Sequence, residues 1–427
     1  MKPCCSNVQD FGAKGDNKTD DTKAIQSALK AMTPGGGCLC IPPGTYLISQ
    51  SLSVNAPIKV SGGGRSSIVK ATADSFHIFI LTGGATGSRL TDFQIQGAAT
   101  SDASNQVAIY TEEKQSVPIS VTVDHLLISG PDSKTGCNSG MQLDRGANDW
   151  AISHNGFERL IGISSGYGYG ILVAAGLRNI ISHNHFTGDI DQGRHAVYLS
   201  SGASYNIVAH NIVKDFNEEA FPINTYRTQA PSQYNQIVNN TIINGGTLTT
   251  TDAGAISITG MSQYNCISGN TIAGYKGHGI IVTDAGTCGQ CIGNQVVGNS
   301  IYNVAYHGIV VMGAKNTDVR SNVVCNASQD NVQFPTSTFP GIAVTSSGTF
   351  GTEVCDGTNL VGNTSWGHSQ RCAFGFNTTE PVPINTVVYG NKFLSGAYAG
   401  IAYQLNQVDC IFDDNAADQN SLRLGGS

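Results

Sequence analysis

The residues best suited to chemistry in this sequence are a tyrosine, an arginine and a histidine at matching places in two neighbouring segments. Tyr169 directly precedes one short apolar run, and the pair Arg194 and His195 directly precedes the next. Tyrosine and histidine can act as general acid and base, and an arginine can hold a carboxylate through two parallel hydrogen bonds. Removal of the proton on C5 of a uronic acid needs a base, a cation on the carboxylate and an acid for the leaving oxygen. We therefore predict a polysaccharide lyase that acts on a uronate-containing polymer, alginate-like or pectate-like, by β-elimination.

Further polar residues stand at or near the same position of later segments. Three of the 10 histidines, His195, His278 and His307, directly precede such an apolar run. This spacing favours one polar face, along which an extended polymer would lie in a groove. The predicted substrate-binding residues are Glu219, Arg227, Lys214, Tyr198, His278 and His307.

A pair of carboxylates would support a different reaction. Glycoside hydrolases use two carboxyl groups about 5 to 5.5 Å apart for retention, or about 6.5 to 9.5 Å apart for inversion. The candidate carboxylates here are Glu218 and Glu219, paired with Asp189, Asp191 or Asp252. A glycoside hydrolase or fructan transferase is therefore the alternative prediction. A third is a phage-type depolymerase that binds a glycan in its groove.

The elements that must position these residues are short strands in a repeat. A phrase of apolar residues followed by asparagine recurs, ending at Asn184, Asn211, Asn240, Asn270, Asn299, Asn322, Asn363 and Asn391. Between these phrases lie Val- and Ile-rich runs that begin with Gly or Ala and lack helical periodicity. Stacked coils of a parallel β-helix would place equivalent residues about 4.8 Å apart. The recurrent asparagine would then occupy a left-handed turn and bond to its neighbours in adjacent coils.

The N-terminal part has a different pattern. Asp20 to Met32 places apolar residues on one helical face and acidic residues at its start, which predicts one amphipathic helix. An open solenoid end needs a cover, so we expect this helix to cap the β-helix. The predicted organisation is a single β-helix domain over residues 1–427, with a cap over 1–60, coils over 61–415 and a tail over 416–427.

Composition limits the partners. The chain of 427 residues has 23 Lys and Arg against 30 Asp and Glu, which argues against broad nucleic-acid binding. No apolar run reaches the roughly 18 residues of a membrane span. Residues 1–16 lack a signal-peptide pattern, but we expect a secreted protein because its polymeric substrates lie outside cells. We predict a monomer or homotrimer.

The twelve cysteines fit neither a small disulfide scaffold nor a paired zinc motif, so buried thiols are expected. No dense cluster of aspartates with the spacing of a cation-binding loop is present. The sequence therefore indicates no cofactor and no metal site, and it leaves a calcium requirement open.

The segment VQDFGAKGDNKTDDTKAIQSALKA, followed by GGGCLCIPPGTYLIS, resembles the opening of the pectate-lyase-like superfamily. Together with the repeats, the resemblance covers nearly the whole chain. It implies an all-β fold: a single-stranded, right-handed parallel β-helix with a short N-terminal capping α-helix. That superfamily contains lyases, epimerases, glycosidases and depolymerases, so function has to be inferred from the site.

The site itself resembles the catalytic modules of mannuronan C5-epimerases and of alginate lyases. The matching phrases are Gly166-Tyr167-Gly168-Tyr169-Gly170 and Gly193-Arg194-His195-Ala196. The epimerase pattern has an aspartate where this chain has Leu172, and its catalytic lysine has no clear counterpart here. The resemblance therefore implies lyase chemistry more directly than epimerisation, which stays a further alternative.

Overall fold

The fold is described from a computed structural model. The residues it describes are 5–33, 35–111, 117–163, 167–189, 192–225, 229–247, 253–284, 289–329, 339–345, 354–367, 374–376, 383–394, 401–403, 411–417 and 422–424.

The chain forms an all-β parallel β-solenoid of about 12 turns, with one short α-helix near its N-terminus. This confirms the predicted fold class. It divides into two compact units: unit 1 comprises Met1–Tyr198 and Ala203–Asn217, and unit 2 comprises Leu199–Gly202 and Glu218–Ser427. In each unit, successive strands along the chain enter three parallel sheets in turn, here called A, B and C.

The strands of unit 1 are as follows. Sheet A has Ser6–Asn7, Gly37–Ile41, Ile58–Gly62, Arg89–Thr91, Thr122–Asp124, Ala151–Ser153, Ile180–Ser182 and Ile207–Ala209. Sheet B has Asp16–Asp20, Gly44–Ile48, Ser67–Ala71, Gln94–Gln96, Leu127–Ser129, Gly156–Glu158, His185–Thr187 and Ile212–Lys214. Sheet C has Leu52–Val54, Phe79–Leu81, Val107–Thr111, Ser139–Leu143, Tyr169–Ala174 and His195–Ser200, the last of which ends with two residues of unit 2.

The strands of unit 2 follow the same order. Sheet A has Gln236–Val238, Cys266–Ser268, Gln295–Val297, Asp318–Arg320, Asn359–Val361, Val387–Tyr389 and Ile411–Asp413. Sheet B has Thr241–Ile243, Thr271–Ala273, Ser300–Tyr302, Val323–Cys325, Thr364–Trp366, Lys392–Phe393 and Ala416–Ala417. Sheet C has Phe221–Thr225, Gly254–Gly260, His278–Thr283, Ile309–Met312, Ile342–Thr345, Phe374–Phe376, Ile401–Tyr403 and Leu422–Leu424.

The recurrent asparagines form buried ladders, as predicted, but the prediction that they occupy the left-handed turn is wrong, because the positive φ lies at the residue before each of them, such as His183 before Asn184. Asn155 donates its side-chain amide to the Asn184 amide oxygen at 3.0 Å, and Asn184 donates in the same way to Asn211 at 3.0 Å. Each of these oxygens also accepts the backbone N–H of the preceding asparagine. The bonds run from coil to coil, so they fix the stacking register of unit 1. Unit 2 has an equivalent ladder from Asn240 to Asn391.

A column of exposed histidines precedes the ladder of unit 1, and the sequence analysis did not identify it. His125, His154, His183 and His210 stack with ring centroids 5.1 Å apart. All four have a positive φ between 54° and 58°. Histidine is among the residues that tolerate this left-handed geometry, so the turn explains their place in the sequence.

The predicted helix is present over Thr22–Ala31 and buries Thr22, Ile25, Ala28 and Leu29. Gln26 exchanges two hydrogen bonds with the backbone of Ser53, which fastens the helix to the first strand of sheet C. The described residues also include 3-10 helices at Val8–Phe11, Gly64–Ser66 and Gly83–Ala85. Among the described residues, no helix has the length and apolarity needed to span a membrane.

The sequence favours buried thiols and does not predict a disulfide, but Cys5 and Cys38 form one, with Cα atoms 4.5 Å apart. The reason is strand register: Ser6 pairs with Leu39, which places Cys5 directly opposite Cys38. Three further cysteines, Cys137, Cys291 and Cys355, are buried free thiols as expected. Burial raises the pKa of the Cys137 thiol to about 12, so this group stays protonated.

Candidate active site

The candidate catalytic residues lie where two strands of sheet C begin. Tyr169 starts Tyr169–Ala174, and His195 starts His195–Ser200. A Cβ atom added to Gly170 would lie 2.7 Å from the buried Phe186 ring, so this position faces the core. Because neighbouring residues of a strand point to opposite sides, Tyr169 faces outward. The lack of a side chain at Gly170 lets the two coils pack closely at this point.

Backbone hydrogen bonds hold the two segments together. The Arg194 and His195 N–H groups both donate to the Gly168 carbonyl, at 2.7 and 3.2 Å, and the Gly168 N–H donates to Asn138 at 2.7 Å. Gly168 has a φ of +75°, and a Cβ there would lie 2.1 Å from the Gly162 carbonyl oxygen. Glycine is therefore required immediately before Tyr169.

The three predicted catalytic side chains converge. The rings of Tyr169 and His195 stack with centroids 5.2 Å apart and 16° between their planes. The Arg194 guanidinium donates a long hydrogen bond to the Tyr169 phenol oxygen, with Nη1 and Oη 3.4 Å apart. Tyr198 presents an edge to both rings, at 5.7 Å from Tyr169 and 5.2 Å from His195. This arrangement places a cation beside a proton donor and an imidazole.

The sequence predicts that these side chains meet, but it does not predict that Tyr169 and His195 are buried. We expected all three side chains on an open, solvated face, whereas Tyr169 is 4% exposed and His195 3% exposed. Arg194 and Tyr198 are half-buried. The packing of Tyr169, His195 and Tyr198 against one another contributes to this burial. Electrostatic interactions are stronger in such surroundings than in bulk water.

The other predicted residues of unit 1 lie near the site in the chain. Asp189 is exposed, and its backbone exchanges two hydrogen bonds of 3.1 Å with that of Gln192. The Asn217 side chain donates to the carbonyls of both residues at 3.0 Å, which braces the chain just before Arg194. Lys214 ends a strand of sheet B, and its Nζ lies 3.7 Å from Asp215. The predicted residues Asp191, Arg227 and Asp252 lie outside the described residues.

In unit 2, the predicted substrate-binding residues His278 and His307 form a second stack. Their centroids lie 5.2 Å apart, and Phe339 packs edge-on to His307 at 5.2 Å. His278 is 1% exposed and His307 9% exposed. Burial lowers the pKa of His307 to about 4. This imidazole is therefore uncharged at neutral pH and does not provide a cation for a sugar carboxylate.

Glu218 and Glu219 also belong to unit 2, where both are half-buried. Each offers a carboxylate oxygen, and these oxygens lie within 4.8 Å of each other. The nearby phenol of Tyr275 is fully buried and has no hydrogen-bond partner within the described part of the chain. Burial, followed by the charges of Glu219 and Glu218, raises the pKa of Tyr275 well above its usual value.

Sequence reasoning missed Tyr275 and the bracing residues Asn138 and Asn217. Tyr275 lies outside the phase of the repeat that we used to select site residues, so no spacing signal pointed to it. The two asparagines belong to connections between sheets B and C, where the repeat is irregular. Their contacts become visible only when the loops are folded.

Comparison with known proteins agrees with this fold. A family model described as rhamnogalacturonase A/epimerase, pectate lyase-like, matches residues 5–242. Alginate lyase 7 of Azotobacter vinelandii is 40% identical over 78 residues, which cover 16% of this chain and only 9% of that protein.

Two solved structures share the fold at low sequence identity. The Dettilon tailspike protein gp208 has a TM-score of 0.61 and 16% identity, over 91% of this chain and 67% of that chain. The catalytic unit of the GH87 alpha-1,3-glucanase from Streptomyces thermodiastaticus has a TM-score of 0.59 and 15% identity, over 99% and 70% of the two chains. Since the family model matches more than half of the sequence, the chain belongs to the rhamnogalacturonase A/epimerase, pectate lyase-like family.

Proposed function

We propose that the protein is a polysaccharide lyase that cleaves a uronate-containing polymer by β-elimination. The observation that carries this proposal is the convergence of Tyr169, His195 and Arg194 within unit 1. The three groups match the base, acid and carboxylate clamp that the reaction needs. The local similarity to an alginate lyase supports the same substrate class.

In the proposed reaction, the unprotonated His195 ring removes the proton on C5 of the uronate. The electron pair of that C–H bond forms the C4–C5 double bond, and the bond between C4 and the glycosidic oxygen breaks. Tyr169 gives its phenol proton to the departing oxygen. Arg194 binds the sugar carboxylate and, from its place beside the phenol oxygen, stabilises the negative charge left on Tyr169. A later proton transfer from His195 to Tyr169 restores both groups.

Product analysis tests the proposal. The purified protein is incubated with polymannuronate, polyguluronate, pectate, a fructan and an α-1,3-glucan. We expect a polyuronate to give ultraviolet absorbance from the new double bond, with one reducing end formed for each double bond. Reducing ends without absorbance would identify hydrolysis and reject the lyase. Uptake of solvent deuterium at C5 without chain cleavage would identify epimerisation and reject it as well.

Hydrolysis is the second candidate, supported by the Glu218 and Glu219 carboxylates, whose oxygens lie within 4.8 Å of each other. Retaining glycosidases separate their carboxyl groups by about 5 to 5.5 Å, slightly more than this upper limit between single oxygens. Glu218→Gln and Glu219→Gln would each abolish turnover of a neutral glycan if this pair is catalytic. The proposal includes secretion, because polymers of this class lie outside cells. It also includes a monomeric or homotrimeric state.

A further inference from the structure

A cleft of about 590 Å³ lies in unit 1 at the start of sheet C, separate in sequence from the residues described above. Its lining includes Asp74, Phe76, His77, Ser101, Ser104 and Asn105. These residues come from two successive connections between sheets B and C. The volume is within the range of about 300 to 1,000 Å³ that is typical of small-molecule sites.

The walls of the cleft are held in place by a buried glutamine. The Gln106 side chain donates to the carbonyls of Ala73 and Phe76, at 2.8 and 3.1 Å. Its amide oxygen accepts the Ala98 N–H at 2.7 Å. Both N–H groups of this amide thus join the two connections, and its oxygen fixes Ala98 within the second connection. The cleft is therefore preformed, which reduces the entropy that a ligand would have to remove on binding.

The lining has the chemistry of a sugar-binding site. Ser104 donates a hydrogen bond to the Asp74 carboxylate, and hydroxyl, amide and carboxylate groups all exchange hydrogen bonds with sugar hydroxyls. The His77 ring packs on Tyr110 with centroids 4.1 Å apart, which provides an aromatic surface for the C–H face of a pyranose. His77 Nδ1 accepts the Val107 N–H at 3.3 Å, so the neutral ring carries its proton on Nε2. The negative charge of Asp74 disfavours a sugar carboxylate beside it, so this end would recognise hydroxyl groups.

Strand register connects the cleft to the candidate active site. Phe79 pairs with Ile109, Ile109 with Met141, and Met141 with Ile171. His77 and Tyr169 each stand two residues before a member of this series, so they occupy one column, three coils apart. At about 4.8 Å per strand, the separation along the column is about 14 Å. A polymer chain that crosses sheet C in this direction would reach both places.

We propose that the cleft lined by Asp74, His77 and Ser104 is a distal subsite that binds a sugar unit of the polymer through its hydroxyl groups. The inference rests on the proposed function, because the sugar belongs to the chain that is cut at Tyr169 and His195. The subsite gives longer chains extra binding energy that short oligomers lack. It would also fix the direction in which the polymer lies across sheet C.

Two variants test the subsite. Ser75→Trp places a large ring at an exposed position of the cleft wall, and His77→Ala removes the aromatic surface. Ser66→Trp is the matched control, since Ser66 is exposed and lies outside the cleft. For each protein, kcat/KM is measured on oligouronates of increasing length and on the polymer, and the thermal midpoint is recorded.

We expect Ser75→Trp and His77→Ala to lower the ratio of kcat/KM for the polymer to that for the shortest cleaved oligomer by about tenfold, as loss of about 1.4 kcal/mol of binding would. Ser66→Trp should keep the wild-type ratio. An unchanged ratio in a folded Ser75→Trp protein would overturn the subsite, whether or not His77→Ala folds.

Calorimetric titration with the same oligomers separates this inference from the proposed function. The protein could produce no unsaturated uronate and yet bind longer oligomers more tightly, with weaker binding in Ser75→Trp. That result would reject the lyase and support the subsite. If the protein cleaves a polyuronate and the cleft variants change neither cleavage nor affinity, the subsite is rejected and the lyase proposal stands.

Discussion

The rings of Tyr169 and His195 lie nearly parallel, with their centroids 5.2 Å apart. This spacing is close to the separation of about 4.8 Å between neighbouring strands, because the two residues begin successive strands of sheet C. Their relative position therefore depends on the backbone register of two coils. The phenol of Tyr169 and the backbone that positions it can be changed by separate substitutions, with different expected effects on rate and stability.

Tyr169→Phe removes the phenol oxygen and keeps the ring. We expect kcat on a polyuronate to fall at least about 100-fold, the usual effect of losing one general acid or base. The thermal midpoint should change little, because the ring still stacks on His195. Initial rates from ultraviolet absorbance and a melting curve measure the two effects.

Tyr205→Phe is the matched control for that substitution. Tyr205 lies in unit 1 at a φ of +59° and is 50% exposed. Its variant should keep the wild-type rate. Equal rates for Tyr169→Phe and wild type would show that the phenol takes no part in the reaction.

Gly168→Ala tests whether the backbone before Tyr169 positions the site. The new methyl group would meet the Gly162 carbonyl oxygen at 2.1 Å and the Arg194 nitrogen at 2.7 Å, at a φ of +75°. Gly64→Ala is the control, since Gly64 has a φ of +74° and open space around it. A left-handed alanine costs about 1 to 2 kcal/mol, so the control should lose about that much stability and no activity.

For Gly168→Ala we expect a larger loss of stability than in the control, and a lower kcat in the protein that remains folded. Urea unfolding and initial rates check both values. Equal losses of stability in the two variants would mean that the close backbone contact at Gly168 is relieved without cost.

Asn184→Ala should weaken the stacking of unit 1. Asn184 accepts two hydrogen bonds from Asn155, and it donates to the carbonyl of Ile152 and to Asn211. Alanine leaves several buried groups without partners, at about 1 to 3 kcal/mol for each unsatisfied group. We expect a loss of at least about 2 kcal/mol in the free energy of unfolding.

The neighbouring His183→Asn is a suitable comparison for the ladder. His183 is exposed at a φ of +56°, a geometry that asparagine tolerates. Its variant should stay within about 0.5 kcal/mol of wild type. A small effect of Asn184→Ala would show that water or relaxed geometry replaces the ladder bonds.

The sequence predicts the ladder and the meeting of Tyr169 with His195 for the same reason. In a solenoid, residues at one phase of the repeat lie in one column, so alignment of the repeats is enough to find neighbours. The burial of Tyr169 and His195 is not readable in this way, because it depends on side chains that pack over the column. The cleft at His77 was missed because its walls are irregular connections fixed by Gln106, and the Cys5–Cys38 disulfide because it depends on strand register near the N-terminus.

The buried His307 predicts a pH-dependent stability that one substitution can isolate. Burial lowers its pKa from 6.5 in the unfolded chain to about 4 in the folded protein. Above pH 6.5 both states are neutral and the group has no effect on pH dependence. As the pH falls from about 6.5 to about 4, the unfolded state binds a proton that the folded state does not, so stability falls. The shift corresponds to about 3 kcal/mol once the pH is below both values.

His307→Asn should remove this contribution. His307 Nδ1 lies 2.7 Å from the Pro340 carbonyl oxygen, and the asparagine amide can donate to the same oxygen without titrating. We expect the free energy of unfolding of wild type to decrease more steeply than that of the variant between pH 6.5 and pH 4, with parallel curves above pH 7. Urea unfolding at a series of pH values measures the difference, from which titrations common to both proteins cancel. Parallel curves over the whole range would mean that His307 takes up a proton as readily in the folded protein as in the unfolded chain. The packing of His307 against His278 and Phe339 argues against that outcome.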